Sequence, residues 1–261
     1  MQAVEFLWNN YGTQGEGARI ALLDTGVDET HPGFKQCLIE QRNVVNPSVP
    51  VIDEDGHGTH CAGTILQIAP ACTLLSAKIL TRSGMFTDDG LQSGLLWARR
   101  MHANVVCICT GSPLADENTE LLIAEMRKQQ IVIVAAIGNS GGEGPRVGIF
   151  PARFPSVLAV GSTDDKGELS VYTSLNSAKD IFCLPGEDVV AEHLGHTYVE
   201  LSGTSVAAAR LCGYLALVVS HQKNISGKFN ADELFKRVEL TSENVKASRG
   251  LYRRVHPQLL F

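Results

Sequence analysis

Short apolar runs alternate along the chain with segments in which apolar residues recur at helical spacing. Four of the runs have the length and composition of buried β-strands: 18–24, 72–80, 104–110 and 131–137. Segments 88–102 and 117–130 instead space their apolar residues three or four positions apart, which predicts amphipathic helices. In the first of them the acidic residues come first and an Arg pair comes last, as the helix dipole favours.

Two further helix signals lie in the last third of the chain. The apolar segment that begins at Ser205 predicts a helix running to about Ser220. Asn230 stands three positions before Glu233, a capping-box-like start for a helix through about Val238.

Strands and helices that alternate with short links predict an α/β fold with a mostly parallel central sheet and helices on both faces. No internal repeat, low-complexity tract or long linker interrupts the pattern, so we expect a single domain over residues 1–261. Functional sites in such sheets lie at the carboxyl ends of the strands. Polar residues that directly follow a predicted strand are therefore the first candidates.

Charge and composition narrow the possible classes of function. The 261 residues include 22 Lys and Arg against 28 Asp and Glu, a net charge of −6, which lacks the basic footprint of nucleic-acid binding. No apolar run reaches the roughly 18 residues that span a bilayer, and the first residues lack a signal-peptide pattern. We therefore expect a cytoplasmic protein with neither nucleic acid nor membrane as a partner.

Seven cysteines are scattered along the chain, and their number is odd. This usage favours free buried thiols in a reducing compartment over a disulfide framework. No Cys-x-x-Cys pair is present, which argues against a structural zinc cluster.

Three segments concentrate residues that can perform chemistry. Asp24 ends a predicted strand, His57 lies in the Gly-rich entry to a predicted helix, and Ser205 stands at the start of an apolar helix. Each alone is typical of a turn or a cap. Together they supply what acyl transfer needs: a nucleophile, a base for its proton and a carboxylate that orients the base. Backbone N–H groups at a helix N-terminus also suit a developing oxyanion.

The segments around these residues resemble the catalytic domain of the subtilisin-like serine proteases, the subtilases. The chain order Asp, His, Ser is the order found in subtilisin. Five segments match family motifs in sequence order between about residues 15 and 250: ALLDTGVDETHPGF, DGHGTHCAGTI, VAAIGNSG, FPARFPSVLAVGST and SGTSVAA. The resemblance implies a three-layer subtilisin-like fold and a serine endopeptidase that forms an acyl-enzyme.

The same resemblance implies roles for individual residues. Asp24 would orient the imidazole, His57 would act as general base and then acid, and Ser205 would be the nucleophile. The side-chain amide of Asn139 and the Ser205 backbone N–H would form the oxyanion hole. His60, one turn after His57, matches a structural histidine of the family.

Substrate and metal expectations follow from the resemblance as well. Cys109-Thr110-Gly111 and Ser83-Gly84-Met85 match the two edges of the peptide cleft, where a substrate binds as an added strand. A His57–His60 pair at helical spacing is compatible with zinc, but no third ligand is evident. The loop that binds calcium tightly in many subtilases is missing after Leu66. We expect no metal and no cofactor.

Three positions depart from the usual family pattern. Ala209 and Arg210 stand where subtilases commonly have Pro and His, four and five residues after the nucleophile. Ala in place of Pro relaxes this helical turn, which suggests slower hydrolysis or transfer of the acyl group to an amine. Ile149 falls about where many relatives have a small residue at the base of the primary specificity pocket, which predicts a shallow pocket that excludes large aromatic side chains.

Several alternatives stay open at this stage. Asp-Thr-Gly also resembles the catalytic box of aspartic proteases, although only one copy is present and the fold pattern is not all-β. A peptide ligase on the same fold and a catalytically silent binding module are further possibilities. The main hypothesis is a serine endopeptidase acting on a peptide or protein, and its more specific form is a processing protease of narrow specificity. We expect a monomer, or one domain of a longer protein.

Overall fold

The computed structural model describes residues 2–82, 88–141, 148–175, 180–247 and 250–261, and its centre is a nine-stranded sheet. The strands in chain order are β1 (Arg19–Asp24), β2 (Leu38–Asn43), β3 (Thr73–Lys78), β4 (Val105–Ile108), β5 (Val132–Ala136), β6 (Val157–Thr163), β7 (Phe182–Pro185), β8 (Val189–His193), β9 (Thr197–Leu201), β10 (Glu243–Ala247) and β11 (Gly250–Arg254). β8 and β9 form a separate antiparallel hairpin, and the other nine lie in the order β10-β11-β7-β6-β5-β4-β1-β3-β2. All neighbouring pairs in the large sheet are parallel except β10 with β11.

Six α-helices accompany this sheet in the described part of the chain. They are α1 (Gln2–Tyr11), α2 (His57–Leu66), α3 (Asp88–Arg100), α4 (Glu117–Lys128), α5 (Thr204–Ser226) and α6 (Ala231–Thr241). Buried residues of α2, α5 and α6 pack on one face of the sheet, and those of α3 and α4 pack on the other. The predicted three-layer α/β fold is confirmed.

Strand β1 shows why the sheet strands are apolar without interruption. Ile20 and Leu22 belong to the core on the α2 and α5 side, whereas Ala21 and Leu23 belong to the core on the α3 and α4 side. Successive side chains of a strand point to opposite faces, so a strand covered on both faces needs apolar residues at every position.

The observed elements match most of the predicted ones. The four apolar runs contain β1, β3, β4 and β5, and the two periodic segments contain α3 and α4. Asn230 caps α6, and its side-chain oxygen accepts a 3.0 Å hydrogen bond from the Glu233 amide. Helix α5 was predicted too short: it continues to Ser226 and ends at Gly227, whose φ of 69° a glycine adopts without strain.

Helix α5 is long and apolar enough to cross a membrane by composition alone, but 89% of its most apolar window is buried inside the protein. A helix that is hydrophobic on all sides is also the expected core helix of a large domain. Its first turn contains Ser205, so the helix connects the centre of the core to the candidate site.

Candidate active site

The candidate site lies at the carboxyl edge of the sheet. Strand β1 ends at Asp24 between its neighbours β3 and β4, and the Asp24 carboxylate is almost fully buried. The Thr25 amide donates a 2.7 Å hydrogen bond to Asp24 Oδ1. The carboxylate is thus held in place before any contact from the histidine is considered.

His57 is the first residue of α2 and faces this carboxylate. Its Nδ1 lies 2.8 Å from Asp24 Oδ1 and 3.0 Å from Oδ2. The Asp24 carboxylate raises the pKa of His57 well above its usual value. A proton on Nδ1 is favoured by this contact, which leaves Nε2 of the neutral ring as the available base.

Asp53, which the sequence analysis missed, organises the loop that presents His57. Its Oδ1 accepts hydrogen bonds from the Thr25 hydroxyl (2.8 Å) and the Gly56 amide (2.9 Å). Its Oδ2 accepts from the Thr59 amide (3.0 Å) and hydroxyl (2.6 Å). One buried carboxylate therefore connects the end of β1 to the first turn of α2. An acidic residue shortly before a helix was the only sequence signal for it.

The environment of Asp53 keeps this carboxylate charged. Burial alone would raise its pKa, but the hydrogen bonds from Thr59, Gly56, Thr25 and Asp55 outweigh burial and lower the pKa. A charged group that accepts several hydrogen bonds is stabilised in its ionised form.

Ser205 lies in the first turn of α5, close to the loop that follows β4. Its hydroxyl donates a 3.1 Å hydrogen bond to the Cys109 carbonyl, and no hydrogen bond to His57 is formed within the described residues. His57 Nε2 instead lies 4.0 Å from Cys61 Sγ. Catalytic hydrogen bonds are often loose without substrate, and a turn of the hydroxyl away from Cys109 would free it for His57.

The amide of Asn139 is held in one orientation. Its Oδ1 accepts hydrogen bonds from the Thr204 amide (3.0 Å) and the Thr204 hydroxyl (2.9 Å). The Nδ2 group, which can only donate, is thereby turned away from these donors. The neighbouring Ser205 amide belongs to the first helical turn, where N–H groups have no intrahelical partner. Two donors are thus available beside the Ser205 hydroxyl.

One of the two predicted cleft edges is described by the structure. Cys109, Thr110 and Gly111 follow β4, and the next residue, Ser112, forms an antiparallel bridge with Phe150. The other predicted edge, Ser83-Gly84-Met85, lies outside the described residues. The assignment of both edges as substrate-binding stays a prediction.

Ile149 lies between the Cys109–Gly111 segment and Gly138. A Cβ atom placed on Gly111 would lie 2.7 Å from Ile149 Cδ1, and one on Gly138 would lie 3.5 Å from Ile149 Cγ1. The side chain therefore occupies the space between the two backbone segments beside Asn139. The assignment of Ile149 to the floor of the specificity pocket stays a prediction.

Buried thiols lie directly beneath the histidine. Sulfur atoms of Cys61 and Cys109 and a carboxylate oxygen of Asp24 lie within 4.8 Å of one another. The pKa values of both thiols are raised well above the ordinary value, through their hydrogen bonds to neighbouring thiols and through burial.

His60 points away from His57, and its Nε2 lies 2.9 Å from the Val189 carbonyl oxygen. The predicted structural role of His60 agrees with this contact, and the His57–His60 pair does not converge.

Comparison with known proteins places this geometry in a family. A family model described as the subtilase family matches residues 15–252. The chain belongs to the subtilase family. It is a subtilisin-like serine peptidase that acts on peptide or protein substrates. The aspartic-protease alternative is wrong, because both the family and the α/β sheet contradict it.

Subtilisins are among its relatives in sequence. The subtilase is 30% identical to subtilisin DY of Bacillus licheniformis over 90% of this chain and 86% of the relative. It is 34% identical to subtilisin Savinase of Lederbergia lenta over 84% of this chain and 81% of the relative.

Solved structures add two relatives with a close overall fold. The prenylagaramide maturation protease PagA superposes with a TM-score of 0.88 at 25% identity, covering all of this chain and 97% of that one. The protease domain of PatA superposes with a TM-score of 0.86 at 28% identity, covering 94% of each chain.

Proposed function

We propose that Asp24, His57 and Ser205 form the catalytic triad of this subtilase and that Asn139 contributes to its oxyanion hole. The observation that supports this most is the 2.8 Å contact between His57 Nδ1 and Asp24, beside a serine in the first turn of a helix. Carboxylate, imidazole and hydroxyl in this order are what serine peptidase chemistry requires.

In the proposed mechanism the Ser205 hydroxyl leaves the Cys109 carbonyl and attacks the scissile carbonyl carbon while His57 Nε2 takes its proton. The new imidazolium is stabilised by the buried Asp24 carboxylate. His57 then gives the proton to the departing amine, which leaves an ester on Ser205. Water, deprotonated by the same His57, attacks the ester and releases the acid product.

Charge on the carbonyl oxygen develops where the Asn139 Nδ2 and the Ser205 amide can donate. Thr204 fixes the orientation of the Asn139 amide, so little reorganisation is needed when the tetrahedral intermediate forms. Removing one such donor costs on the order of 100- to 1,000-fold in rate.

We further propose that this subtilase is a processing endopeptidase of narrow specificity. Two observations support this: the Ile149 side chain fills the space beside Gly111 and Gly138, and PagA, a maturation protease by its description, shares the fold over the whole chain. A pocket floor raised by an isoleucine favours small side chains at the residue before the cleaved bond.

Labelling with a fluorophosphonate and intact-mass spectrometry tests the proposed nucleophile. We expect one adduct on the parent protein and none on Ser205→Ala. Ser202→Ala is the matched control, because Ser202 is three residues away and more exposed than Ser205. Adduct formation on a folded Ser205→Ala protein, or none on the parent, would contradict the assignment.

Cleavage of a diverse peptide mixture tests the specificity. The cut sites are identified by mass spectrometry, with Ser205→Ala as the blank. We expect few sites, with small residues before the cleaved bond. Efficient cutting after Phe, Tyr and Leu throughout the mixture would overturn the narrow-specificity proposal while leaving the triad assignment intact.

A further inference from the structure

A cavity of about 570 Å³ lies beyond the catalytic residues at the same edge of the sheet. It is enclosed by the carboxyl ends of β6 and β7, helix α1, the second and third turns of α5 and the C-terminal residues. Six of its lining residues carry the following argument: Phe6, Thr163, Lys166, Arg210, Tyr214 and Arg254. Cavities of roughly 300–1,000 Å³ are of the size that holds small ligands.

Three polar groups of this cavity lack partners among the described residues. Arg210, which is half-buried, makes no hydrogen bond or ion pair there. Thr163 Oγ1 and Arg254 Nε are buried and have no hydrogen-bond partner. Surrounding atoms shield Thr163 Oγ1 and Arg254 Nε from the cavity, whereas the half-buried Arg210 side chain is accessible there.

The described lining is positively charged within an acidic protein. Lys166, Arg210 and Arg254 face one acid, Asp165, whereas the whole chain carries a net charge of −6. Arg254 is partly neutralised, since its Nη1 lies 3.4 Å from Glu243 Oε2. Arg210 is therefore the half-buried cation that is available to an anion, and the exposed Lys166 is a second one.

The remaining walls are apolar. Leu7, Leu184, Tyr214 and Val255 line the interior, and Phe6 stands at the rim with 58% of its surface exposed. A ligand that complements both the basic and the apolar parts of the lining has an anionic group with an apolar group a short distance away.

We propose that this cavity is a second peptide site, which binds an apolar C-terminal residue through its free α-carboxylate. The carboxylate pairs with the Arg210 guanidinium, and Lys166 adds a second positive charge to the same lining. The side chain packs against Leu184 and Tyr214. A peptide is the occupant because peptidase activity, which the family establishes, presents peptide carboxylates to this protein. The inference does not depend on which residues form the triad.

Helix α5 connects this second site to the candidate active site. Arg210 follows Ser205 by five residues, which is about 7.5 Å along the helix axis. A substrate anchored by its C-terminus in the cavity is held on the same rigid element that carries the proposed nucleophile. We expect this anchoring to lower KM for substrates with a free apolar C-terminus and to leave kcat unchanged.

Fluorescence anisotropy with a labelled peptide tests the site directly. The protein is Ser205→Ala, so that no cleavage occurs, and the probe is a fluorescein-labelled Gly-Ser-Gly-Ser-Leu peptide with a free carboxylate. We expect amidation of the C-terminus to weaken binding by about tenfold or more, the size of a lost hydrogen bond to a charged group. We expect a C-terminal Gly in place of Leu to weaken binding several-fold.

Matched variants identify the residues involved. Arg210→Gln should weaken the free acid by about tenfold and leave the amidated peptide unchanged. Arg100→Gln, an exposed position at the end of α3, makes the same change of charge and should have no effect.

Three outcomes would overturn the proposal. The first is equal affinity for the acid and the amide. The second is unchanged affinity in Arg210→Gln with a normal unfolding midpoint, which would place the peptide in the catalytic cleft. The third is that free 4-methylpentanoate binds as tightly as the peptide, which would assign the cavity to a small acid. None of these depends on hydrolysis, so a failure here is distinct from a failure of the proposed triad.

Discussion

The two buried carboxylates of the candidate site have different tasks. Asp24 contacts the imidazole of His57 directly, whereas Asp53 contacts backbone and hydroxyl groups of the surrounding loop. Asp24 therefore acts on a proton-transfer group, and Asp53 acts on its placement. Both consequences can be measured separately.

Replacing Asp24 tests the first of these tasks. We expect Asp24→Asn to lower kcat by roughly 10⁴-fold, because the amide no longer stabilises the imidazolium or its tautomer. The pKa of His57, followed by NMR, should fall from its raised value toward or below about 6.5. For the same reason we expect the kcat/KM profile of the parent protein to rise at a higher pH than an unperturbed histidine would give, since only neutral His57 acts as base.

Asp28→Asn is the control for this substitution, because Asp28 lies in the same loop and bonds Thr30 instead of His57. An unchanged His57 titration in Asp24→Asn would contradict the assigned role. In the folded parent the Asp24–His57 ion pair stabilises the protein at low pH, and that contribution is lost as the pH rises through the raised pKa.

Ile149 decides which side chains can enter the predicted pocket. We expect Ile149→Ala to raise kcat/KM for substrates with Phe before the cleaved bond by about tenfold or more, and to change Ala substrates little. Ile225→Ala, an exposed position at the end of α5, is the control. An unchanged ratio of Phe to Ala cleavage would show that another residue limits the pocket.

At the scale of elements, the loop between β2 and α2 is built around Asp53. The loop brings the first turn of α2 to the end of β1, although strand β2 lies between these two elements in the sequence. Because Asp53 is charged and accepts hydrogen bonds from both, its loss affects the fold and the site together.

We expect Asp53→Asn to destabilise the protein at pH 7 by about 1–3 kcal/mol, since buried donors lose a charged acceptor. The lowered pKa means that the carboxylate stabilises the fold above about pH 4 and ceases to do so as the pH falls through the folded value. The difference from the parent should therefore shrink in acid. Urea unfolding at several pH values measures this, with exposed Asp188→Asn for comparison, and a difference that is constant with pH would contradict it.

Across the whole molecule, the protection of backbone amides from hydrogen exchange should follow how deeply each element is buried. Helix α5 and four central strands, β1, β4, β5 and β6, are buried on both sides. Strand β10, at the edge of the sheet, has only exposed and half-buried residues. We expect amides of the central strands to exchange at least about 100-fold more slowly than those of β10 and β11, or about 2.7 kcal/mol in opening free energy.

Hydrogen exchange of the Ser205→Ala protein measures this without self-cleavage. Equal protection at the edge and the centre would indicate one cooperative unit instead.

All seven cysteines are free, in agreement with the expected thiols. The cytoplasmic location, the single domain over 1–261, the monomeric state and the ligase alternative stay predictions.

The sequence by itself determined the α/β class and the chemistry. Uninterrupted apolar strands require cover on both faces, and that requirement is visible in a short window of the chain. The Asp, His and Ser segments were recognisable because the residue types at helix starts and strand ends are set locally, and because they resemble subtilases.

Only the tertiary structure decided the remaining features. The 96-residue separation between Ser205 and the Cys109 carbonyl, and the 28-residue separation between Thr25 and Asp53, leave no periodic signal. Helix α1, the β8–β9 hairpin and the β10–β11 edge were not predicted, since amphipathic or exposed edge elements gain their stability from the surface they meet. The cavity beside Arg210 exists only because five distant segments meet around it, and unpaired groups are recognisable only once every neighbour is placed.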